Sequence, residues 1–566
     1  MTARRASIPA CAVAALVACA PTWKRPPHDE RFQRAAAPAL HPRPIGESLP
    51  TDWWDRMTSS TVQPLGNTLS PARYVAAAAG GREALDVNRL GEVPDSTWFA
   101  NRIGRRVMTP KEIARGPGDW IEPAPGPLTV VSGKLEGATP GLVLRDTAGR
   151  VYFVKFDPPA FRELSTGAEI VAQRLLHAAG YHVPEMQVTE LALERIVLHP
   201  GARQRNSYRQ MVSMSQRDLD GLLSNLNPGP TRRLRALLSR ETRGRSLGPF
   251  SYRGVRIDDP NDRIPHERRR SLRGLWVFSA WFNNSDVRRQ NTLDTFIEVD
   301  RRRRLGYVRH HLIDFGNSLG ASGERDKYVG EGYEGEFDWA AMGRRIFGFG
   351  LRYDDWLGLR RTPYPSVAIF ESEMFEPERW RPSYPNPAFD EATARDTFWA
   401  AAILARLDRA AVEAAVAGAR YSDPRAARLI TDVLMARRAK LLRHAFAGFL
   451  PLVDPDVRGY RVDMTDLEVK TGTSREAPRY RFAVRWNRSG RGDRELESGD
   501  RATPSIDLAG ALRRIQEREP GAFADDPFLT LTWRRLRGGE PGPRVDLHLR
   551  VVGDHLVPVA LWRERD

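Results

Sequence analysis

The stretch from residue 128 to 188 restricts the fold more than any other part of the chain, because strands, turns and a helix follow each other there in a defined order. An apolar run over Leu128–Val131 predicts a first strand. After a glycine-bearing loop, Leu142–Arg145 and Val151–Phe156 predict a hairpin whose turn is Thr147-Ala148-Gly149. The pattern indicates a β-rich unit that leads into a helix.

The helix is predicted directly after the hairpin, with Ser165 or Thr166 as its N-cap and Gly180 as the residue that ends it. From about 205 to 450 the hydrophobic period is largely that of helices. The elements predicted there are a helix over Arg268–Phe282, a β-hairpin over Thr295–Ile313, and amphipathic helices over Glu391–Val416 and Asp423–Phe449. After Asp454 the alternation typical of strands returns and predicts a small β-rich domain of unknown role.

The chain is basic, with 87 lysine and arginine residues against 71 acidic ones and a formal net charge of +16. The charge is spread along the whole chain, and short runs such as Arg301–Arg304 are typical of a solvated face. We therefore expect affinity for anionic surfaces such as lipid headgroups or phosphorylated substrates. A nucleic-acid partner is not expected, since the sequence has no basic groove motif with interleaved aromatic residues.

Lysine is rare in this chain. It occurs seven times, so that 80 of the 87 basic residues are arginine. In a sequence that uses arginine at nearly all basic positions, a lysine indicates a position where the chemistry requires an ammonium group.

Both cysteines, Cys11 and Cys19, lie within the first twenty residues, which excludes a disulfide framework and a cysteine-ligated zinc site from the mature protein. Arg4 and Arg5 precede an apolar run over Ile8–Ala18 that is too short to span a bilayer but is typical of a secretory signal. We expect export from the cytoplasm.

The end of this run, Leu16-Val17-Ala18-Cys19, resembles the lipobox of bacterial lipoproteins, in which the cysteine receives a diacylglyceryl group and becomes the new N-terminus. The alternative is ordinary cleavage after Ala20, which would place Pro21 directly after the cut. Lipidation of Cys19 would attach the chain to a membrane without a spanning helix. Ala20 in place of an aspartate resembles sorting signals for the outer membrane, so we expect the protein there, facing the periplasm.

Lys155 lies within the apolar strand Val151–Phe156, where an unpaired buried ammonium would cost several kcal/mol. The alternative is a lysine at a strand end whose amine reaches water. Glu169, early on the next helix, could pair with Lys155, and Glu163 is a rival for that role. Glu169 could also be an exposed glutamate favoured by the helix dipole.

Two further sets of polar residues follow apolar elements. Asp286 and Asn291 come after the apolar helix, in the run Asn283-Asn284-Ser285-Asp286-Val287-Arg288-Arg289-Gln290-Asn291, with four residues between them. Residue types of this kind also serve as helix caps. Asp314 follows an apolar strand and precedes Phe315-Gly316, where its hard carboxylate oxygen could bind Mg²⁺.

These residues, in this order, resemble those of a protein-kinase-like fold, and are most similar to HipA-like and secretory-pathway kinases, in which the catalytic aspartate follows asparagine-rich sequence. The resemblance covers roughly residues 128 to 450. It implies a two-lobed α+β fold with a β-rich N-lobe and a helical C-lobe. With the flanking regions, the expected segments are a signal peptide over 1–18, a tether over 19–50, a lead-in over 51–120, the N-lobe over 121–204, the C-lobe over 205–454 and a β-rich domain over 455–566.

The resemblance also implies an ATP-dependent phosphotransferase. Lys155 and Glu169 would position the nucleotide, Asp286 would act as the base, and Asn291 and Asp314 would hold Mg²⁺. The acceptor, a protein or a small molecule, is not predicted, nor is the oligomeric state.

The sequence departs from the kinase pattern in two places. The segment from Gly133 to Gly141 lacks the usual glycine spacing, although Gly137 and Gly141 could still bring backbone N–H groups near phosphates. No Ala-Pro-Glu segment follows Asp314. Because free ATP is scarce beyond the inner membrane, the alternative is a catalytically inactive kinase-like scaffold or nucleotide-binding lipoprotein.

Overall fold

The computed structural model describes residues 37–46, 82–120, 122–133, 140–206, 210–335, 354–474 and 477–565, with isolated positions at 62–71 and 343–348. The chain divides into two compact units. The larger comprises Arg34–Val453 and Asp466–Glu476, and the smaller includes Asp454–Thr465 and Ala477–Asp566. Both mix helices with sheets, as expected for an α+β protein. None of the helices in the described ranges has the length and apolar character that a membrane span requires.

The larger unit contains most of the elements. Along the chain they are β1 (His41–Pro42), α1 (Pro110–Arg115), β2 (Leu128–Gly133), β3 (Gly141–Arg145), β4 (Val151–Lys155), α2 (Leu164–Ala179), β5 (Met186–Ala192), β6 (Ile196–Arg205), β7 (Met211–Ser213), α3 (Gln216–Asn225), β8 (Arg233–Arg240), β9 (Arg245–Gly248), α4 (Arg270–Phe282), β10 (Thr292–Asp300), β11 (Leu305–Leu312), β12 (Ala321–Ser322), β13 (Arg325–Asp326), α5 (Pro387–Asp390), α6 (Ala394–Leu404), α7 (Arg409–Gly418) and α8 (Pro424–Phe446).

A seven-stranded sheet forms the β-rich part of this unit, with the strand order β5-β8-β4-β3-β2-β6-β7. Neighbouring strands are antiparallel except β2 and β6, which are parallel. The predicted hairpin of β3 and β4 is confirmed. Asp146 closes its turn by accepting hydrogen bonds from the backbone N–H groups of Ala148 and Arg150 at 3.0 and 2.9 Å. Gly149 there has a φ of 79°, which glycine adopts without strain.

The sheet continues past residue 204, at which the N-lobe was predicted to end. β8 lies between β5 and β4, so the sheet extends to residue 240, and the region from 205 to 250 contains three strands where helices were expected. Leu234, Ala236 and Leu238 of β8 pack into the core of this sheet. Arg233, Arg235, Leu237 and Ser239 alternate with them on the opposite face, where Leu237 packs into a second core. This alternation is a strand period that the broader helical pattern concealed.

Helix α2 begins two or three residues earlier than predicted, and neither Ser165 nor Thr166 is its N-cap. Glu163 takes this position with a left-handed φ of 67° and makes no side-chain capping bond. Asp157, from the preceding loop, accepts hydrogen bonds from the backbone N–H groups of Glu163 and Thr166 at 3.0 and 2.9 Å. A carboxylate outside the helix therefore satisfies its free N–H groups. The predicted end of the helix at Gly180 is confirmed.

The helices α4 and α6 to α8 form a second core with α2, to which residues 82–120 contribute Trp98, Phe99 and Ile103. The single helix predicted over Glu391–Val416 is two helices, α6 and α7. Asp408 separates them, because its side chain accepts a hydrogen bond from the backbone N–H of Ala411 and begins α7.

A four-stranded sheet in the order β1-β11-β10-β9 contains the predicted hairpin, formed by β10 and β11. In β1, His41 and Pro42 pair with Gly306 and Leu305 of β11. Residues 37–46, expected to be part of a tether, are therefore packed onto the larger unit. The rest of the predicted signal peptide and tether, with Cys19, lies outside the described residues.

The smaller unit is rich in strands, as predicted. Its region contains β14 (Leu452–Arg458), β15 (Arg461–Asp466), α9 (Leu467–Lys470, which belongs to the larger unit), β16 (Tyr480–Asn487), β17 (Arg494–Arg501), β18 (Ser505–Asp507), α10 (Ala509–Arg518), α11 (Ala522–Asp525), β19 (Phe528–Arg537), β20 (Glu540–Val552) and β21 (His555–Arg563). They form sheets in the orders β14-β15-β18 and β17-β16-β19-β20-β21.

Candidate functional site

Lys155 is the last residue of β4, and its ammonium group contacts two carboxylates. Nζ donates to Oε1 of Glu169 at 3.0 Å and to Oδ1 of Asp314 at 2.9 Å. Only 17% of the lysine side chain is exposed. The two sequence-based alternatives, a lysine extended into water and a solvent-exposed Glu169, are therefore both excluded by the structure.

The local fold explains why these groups meet. Along β4, Tyr152 and Val154 are buried in the core of the sheet, so Lys155 projects from the opposite face. Glu169 lies in the second turn of α2 and is completely buried. Gly316 leaves space for this carboxylate, since a Cβ at that position would lie 3.0 Å from Oε2 of Glu169.

Asp314 follows β11 and has a left-handed backbone with a φ of 58°. For a residue other than glycine this conformation is sparsely populated, and it often accompanies a functional constraint. The side chain of Asp314 is 43% exposed, so it can contact Lys155 and still bind a ligand from solvent. The backbone N–H of Ile313, the residue before Asp314, donates to the carbonyl oxygen of Asn291 at 3.0 Å. This bond joins the end of β11 to the segment that contains Asp286.

Asp286 and Asn291 contact each other directly. Asn291 Nδ2 donates to the backbone oxygen of Asp286 at 2.6 Å and to its Oδ2 at 3.1 Å. Arg288 Nε lies 2.7 Å from the other carboxylate oxygen, Oδ1. Because both side-chain bonds of Asn291 use its nitrogen, its Oδ1 is the atom suited to bind a cation.

The charges in this region are strongly coupled. Burial alone would lower the pKa of Lys155, but the negative charges of Asp314 and Glu169 outweigh burial and raise this pKa above its ordinary value. Burial raises the pKa of Asp286; Arg288 and Asn291 oppose this rise, and the charge of Asp314 adds to it. Lys155 therefore stays protonated, while Asp286 holds a proton more readily than an exposed aspartate.

Lys327 is a functional candidate that sequence reasoning missed. It is 2% exposed, and its Nζ donates to Oγ of Ser285 at 3.1 Å, to Oε2 of Glu331 at 3.0 Å, and to Oδ1 of Asn317. Ser285 directly precedes Asp286. The scarcity of lysine was the signal that could have identified it, since Lys327 is one of only seven in the chain.

The predicted phosphate-binding glycines have different outcomes. Gly137 lies outside the described residues. Gly141 does not lie in a loop, because it is the first residue of β3 and pairs with Lys155 of β4. Through this pairing, Gly141 itself lies beside the lysine.

Within the described ranges, no group of three or more histidine, cysteine, aspartate and glutamate side chains is arranged to hold a metal ion. The candidate ligands for a cation are thus the carboxylate of Asp314 and the amide oxygen of Asn291. A bound substrate would have to supply further oxygen ligands. Comparisons with models of protein families, with curated proteins and with solved structures gave no match to this chain.

Proposed function

We propose that the chain is a protein-kinase-like phosphotransferase that uses Mg-ATP to phosphorylate an acceptor hydroxyl. The observation that carries the proposal is the meeting of Lys155 with both Glu169 and Asp314 at 3.0 and 2.9 Å. A buried structural lysine needs one carboxylate. Lys155 is shared between the completely buried carboxylate of Glu169 and the half-exposed carboxylate of Asp314. A lysine in this position is suited to bind a ligand beside the exposed carboxylate.

Lys155 and Glu169 would act on the nucleotide. Glu169 fixes the ammonium group from the buried side, and the unburied part of Lys155 would bind phosphate oxygens as a point charge. The seven-stranded sheet and the helical core are the parts of the chain that we propose as the two lobes.

The residues present fit a magnesium ion. Asp314 is partly exposed, and the charges of Asp286 and Asp314 disfavour each other, which a nearby divalent cation would relieve. Asp314 and Oδ1 of Asn291 would hold the ion. When bound, Mg²⁺ supplies positive charge to the phosphate oxygens.

Asp286 would receive the proton of the acceptor hydroxyl. A bond forms between the acceptor oxygen and the γ-phosphorus, the bond from that phosphorus to the ADP oxygen breaks, and the hydroxyl proton passes to the Asp286 carboxylate. Asn291 fixes the orientation of this carboxylate through its two hydrogen bonds. The raised pKa of Asp286 makes it a better proton acceptor than an ordinary aspartate.

The second candidate is a nucleotide-binding scaffold without turnover. It is favoured by the contact of Arg288 Nε with Oδ1 of Asp286 at 2.7 Å, because a base engaged by a guanidinium group is a weaker base. For either function we propose a lipid-anchored protein of the cell envelope, attached through Cys19 at the outer membrane and facing the periplasm.

Thermal unfolding in the presence of nucleotides tests the proposal. Mg-ATP at one hundred times its dissociation constant should stabilise the protein by about 2.7 kcal/mol. Asp314→Asn should remove the Mg²⁺-dependent part of this shift, and Asp286→Asn should keep the shift but lose phosphate transfer. Asp220→Asn, an exposed carboxylate on α3, is the control and should change neither.

Each outcome is decisive for one of the candidates. A shift without transfer in the unmodified protein supports the scaffold. The absence of any shift with ATP or GTP, with Mg²⁺ or Mn²⁺, would rule out both candidates.

A further inference from the structure

The turn between β10 and β11 consists of four consecutive arginines, Arg301–Arg304, which we call the arginine turn; all four are exposed. Asp300, next to them, accepts a hydrogen bond from the N–H of Arg303 at 3.0 Å, and its carboxylate lies 4.0 Å from Arg303 Nε. The Arg303 side chain is nevertheless 80% exposed. The charges of residues 300–304 therefore sum to about +3 at neutral pH, presented to solvent.

The hairpin does not need arginines in order to fold. Its register is fixed by Phe296 and Val308, which form a small core with Leu247. Arg304 has a φ of 59°, a conformation that asparagine or glycine adopts more easily. Neighbouring positive charges also repel each other. The conformation of Arg304 and the repulsion between the arginines both disfavour folding, which indicates that the turn has a role in binding.

Apolar side chains accompany this charge. Val299, directly before Asp300, is 56% exposed. Because Pro42 of β1 pairs with Leu305, the exposed Arg43 follows at the end of the sheet where the arginine turn lies. Ile45, two residues beyond Arg43, is 84% exposed. The surface thus combines at least five arginines with exposed aliphatic groups.

The first described residues of the larger unit lie near this surface. Residues 37–42 lead directly to the arginine turn, a path of at most about 20 Å. The residues before them include Cys19, the predicted site of lipidation. A chain attached to a bilayer through Cys19 would be tethered by the end that leads to the arginine turn.

We propose that the arginine turn, with Arg43, binds the headgroups of anionic phospholipids and holds this face of the protein against a membrane. Each arginine near an anionic surface contributes about fivefold in affinity. Val299 and Ile45 would lie at the boundary between headgroups and acyl chains. The inference does not depend on nucleotide binding.

The test uses the full chain with Cys19→Ser, so that no acyl chain contributes, in sedimentation with vesicles. The vesicles contain phosphatidylcholine alone or with 30 mol% phosphatidylglycerol, a fraction of about one lipid in three. We expect binding to the anionic vesicles that weakens as salt increases. Replacing Arg301, Arg302, Arg303 and Arg304 with glutamine should lower the affinity at least about tenfold.

The control variant removes the same charge elsewhere: Arg491, Arg513, Arg514 and Arg518, all exposed in the smaller unit, are replaced with glutamine. This variant should bind as tightly as its parent. An equal loss in the two variants would assign the affinity to net charge and overturn the proposal. It is overturned as well if no vesicles bind, or if double-stranded DNA binds the arginine turn more tightly than the vesicles do.

Discussion

Lys155 donates a hydrogen bond to Asp314 across 2.9 Å, although the two residues are 159 positions apart in the chain. The bond connects the end of β4 in the large sheet with the segment that follows β11. Glu169, on α2, accepts a hydrogen bond from the same ammonium group. Three separate elements thus depend on one ammonium group for charge balance.

Lys155→Met should therefore destabilise the larger unit, because it leaves the buried Glu169 without its cationic partner. We expect a loss of about 3–5 kcal/mol in the free energy of unfolding, measured by urea titration, together with the loss of any nucleotide-induced shift. The double variant Lys155→Met/Glu169→Met should recover most of the stability, since it also removes the buried charge. Equal stability of the single and double variants would contradict the pairing.

Gly316→Ala should weaken both stability and nucleotide binding. The added methyl group would lie 2.9 Å from Oγ of Ser165 and 3.0 Å from Oε2 of Glu169, both on α2. Overpacking of this kind destabilises by about 1–3 kcal/mol. Gly221→Ala is the matched control: it lies in α3 with no atom near the added carbon, and should raise the melting temperature slightly.

Lys327→Met should lower turnover by about tenfold to a hundredfold while the dissociation constant for nucleotide changes little. Its contacts are with Ser285, beside Asp286, and a small displacement of a base has effects of this size. The exposed Lys470, replaced by methionine, controls for the loss of a positive charge. Unchanged turnover in the Lys327 variant would show that this network has no part in catalysis.

Stability should fall as the pH decreases below about 6.5, the ordinary pKa of histidine. Burial, together with the charges of His182 and Arg309, lowers the pKa of His311 in the folded protein to about 3. The unfolded chain therefore takes up a proton below pH 6.5 that the folded chain does not, and stability is lost by up to about 1.4 kcal/mol per pH unit until the folded pKa is reached. Urea titrations between pH 7.5 and 5 should give a shallower slope for His311→Gln than for the unmodified protein.

Sequence reasoning succeeded where contacts are local. The hairpin of β3 and β4, the Gly180 helix end and the partnership of Lys155 with Glu169 all join residues close together in the chain. Periodicity and turn residues report such contacts directly.

Local patterns did not predict the remote contacts that the resemblance to kinases left out. The burial of His41 and the packing of residues 37–46 depend on β11 and on the loop around Asn261. The side chain of Asn261 donates a hydrogen bond to the carbonyl oxygen of Ala39 and accepts one from the N–H of Ala39. The same holds for Lys327 and Ser285, which are 42 positions apart. No local pattern encodes these contacts, since each was decided by which surfaces the fold brings together.

The placement of β8 between β5 and β4 determines when the sheet that carries Lys155 can be completed. Strand β4, with Lys155 at its end, lacks one hydrogen-bonding neighbour until residue 240 has emerged, 85 residues later. At ordinary rates of translation this interval lasts about 4–17 s. During this time an open strand edge is available for pairing with another chain. A nascent or truncated chain that ends before residue 240 should therefore depend on chaperones to remain unaggregated.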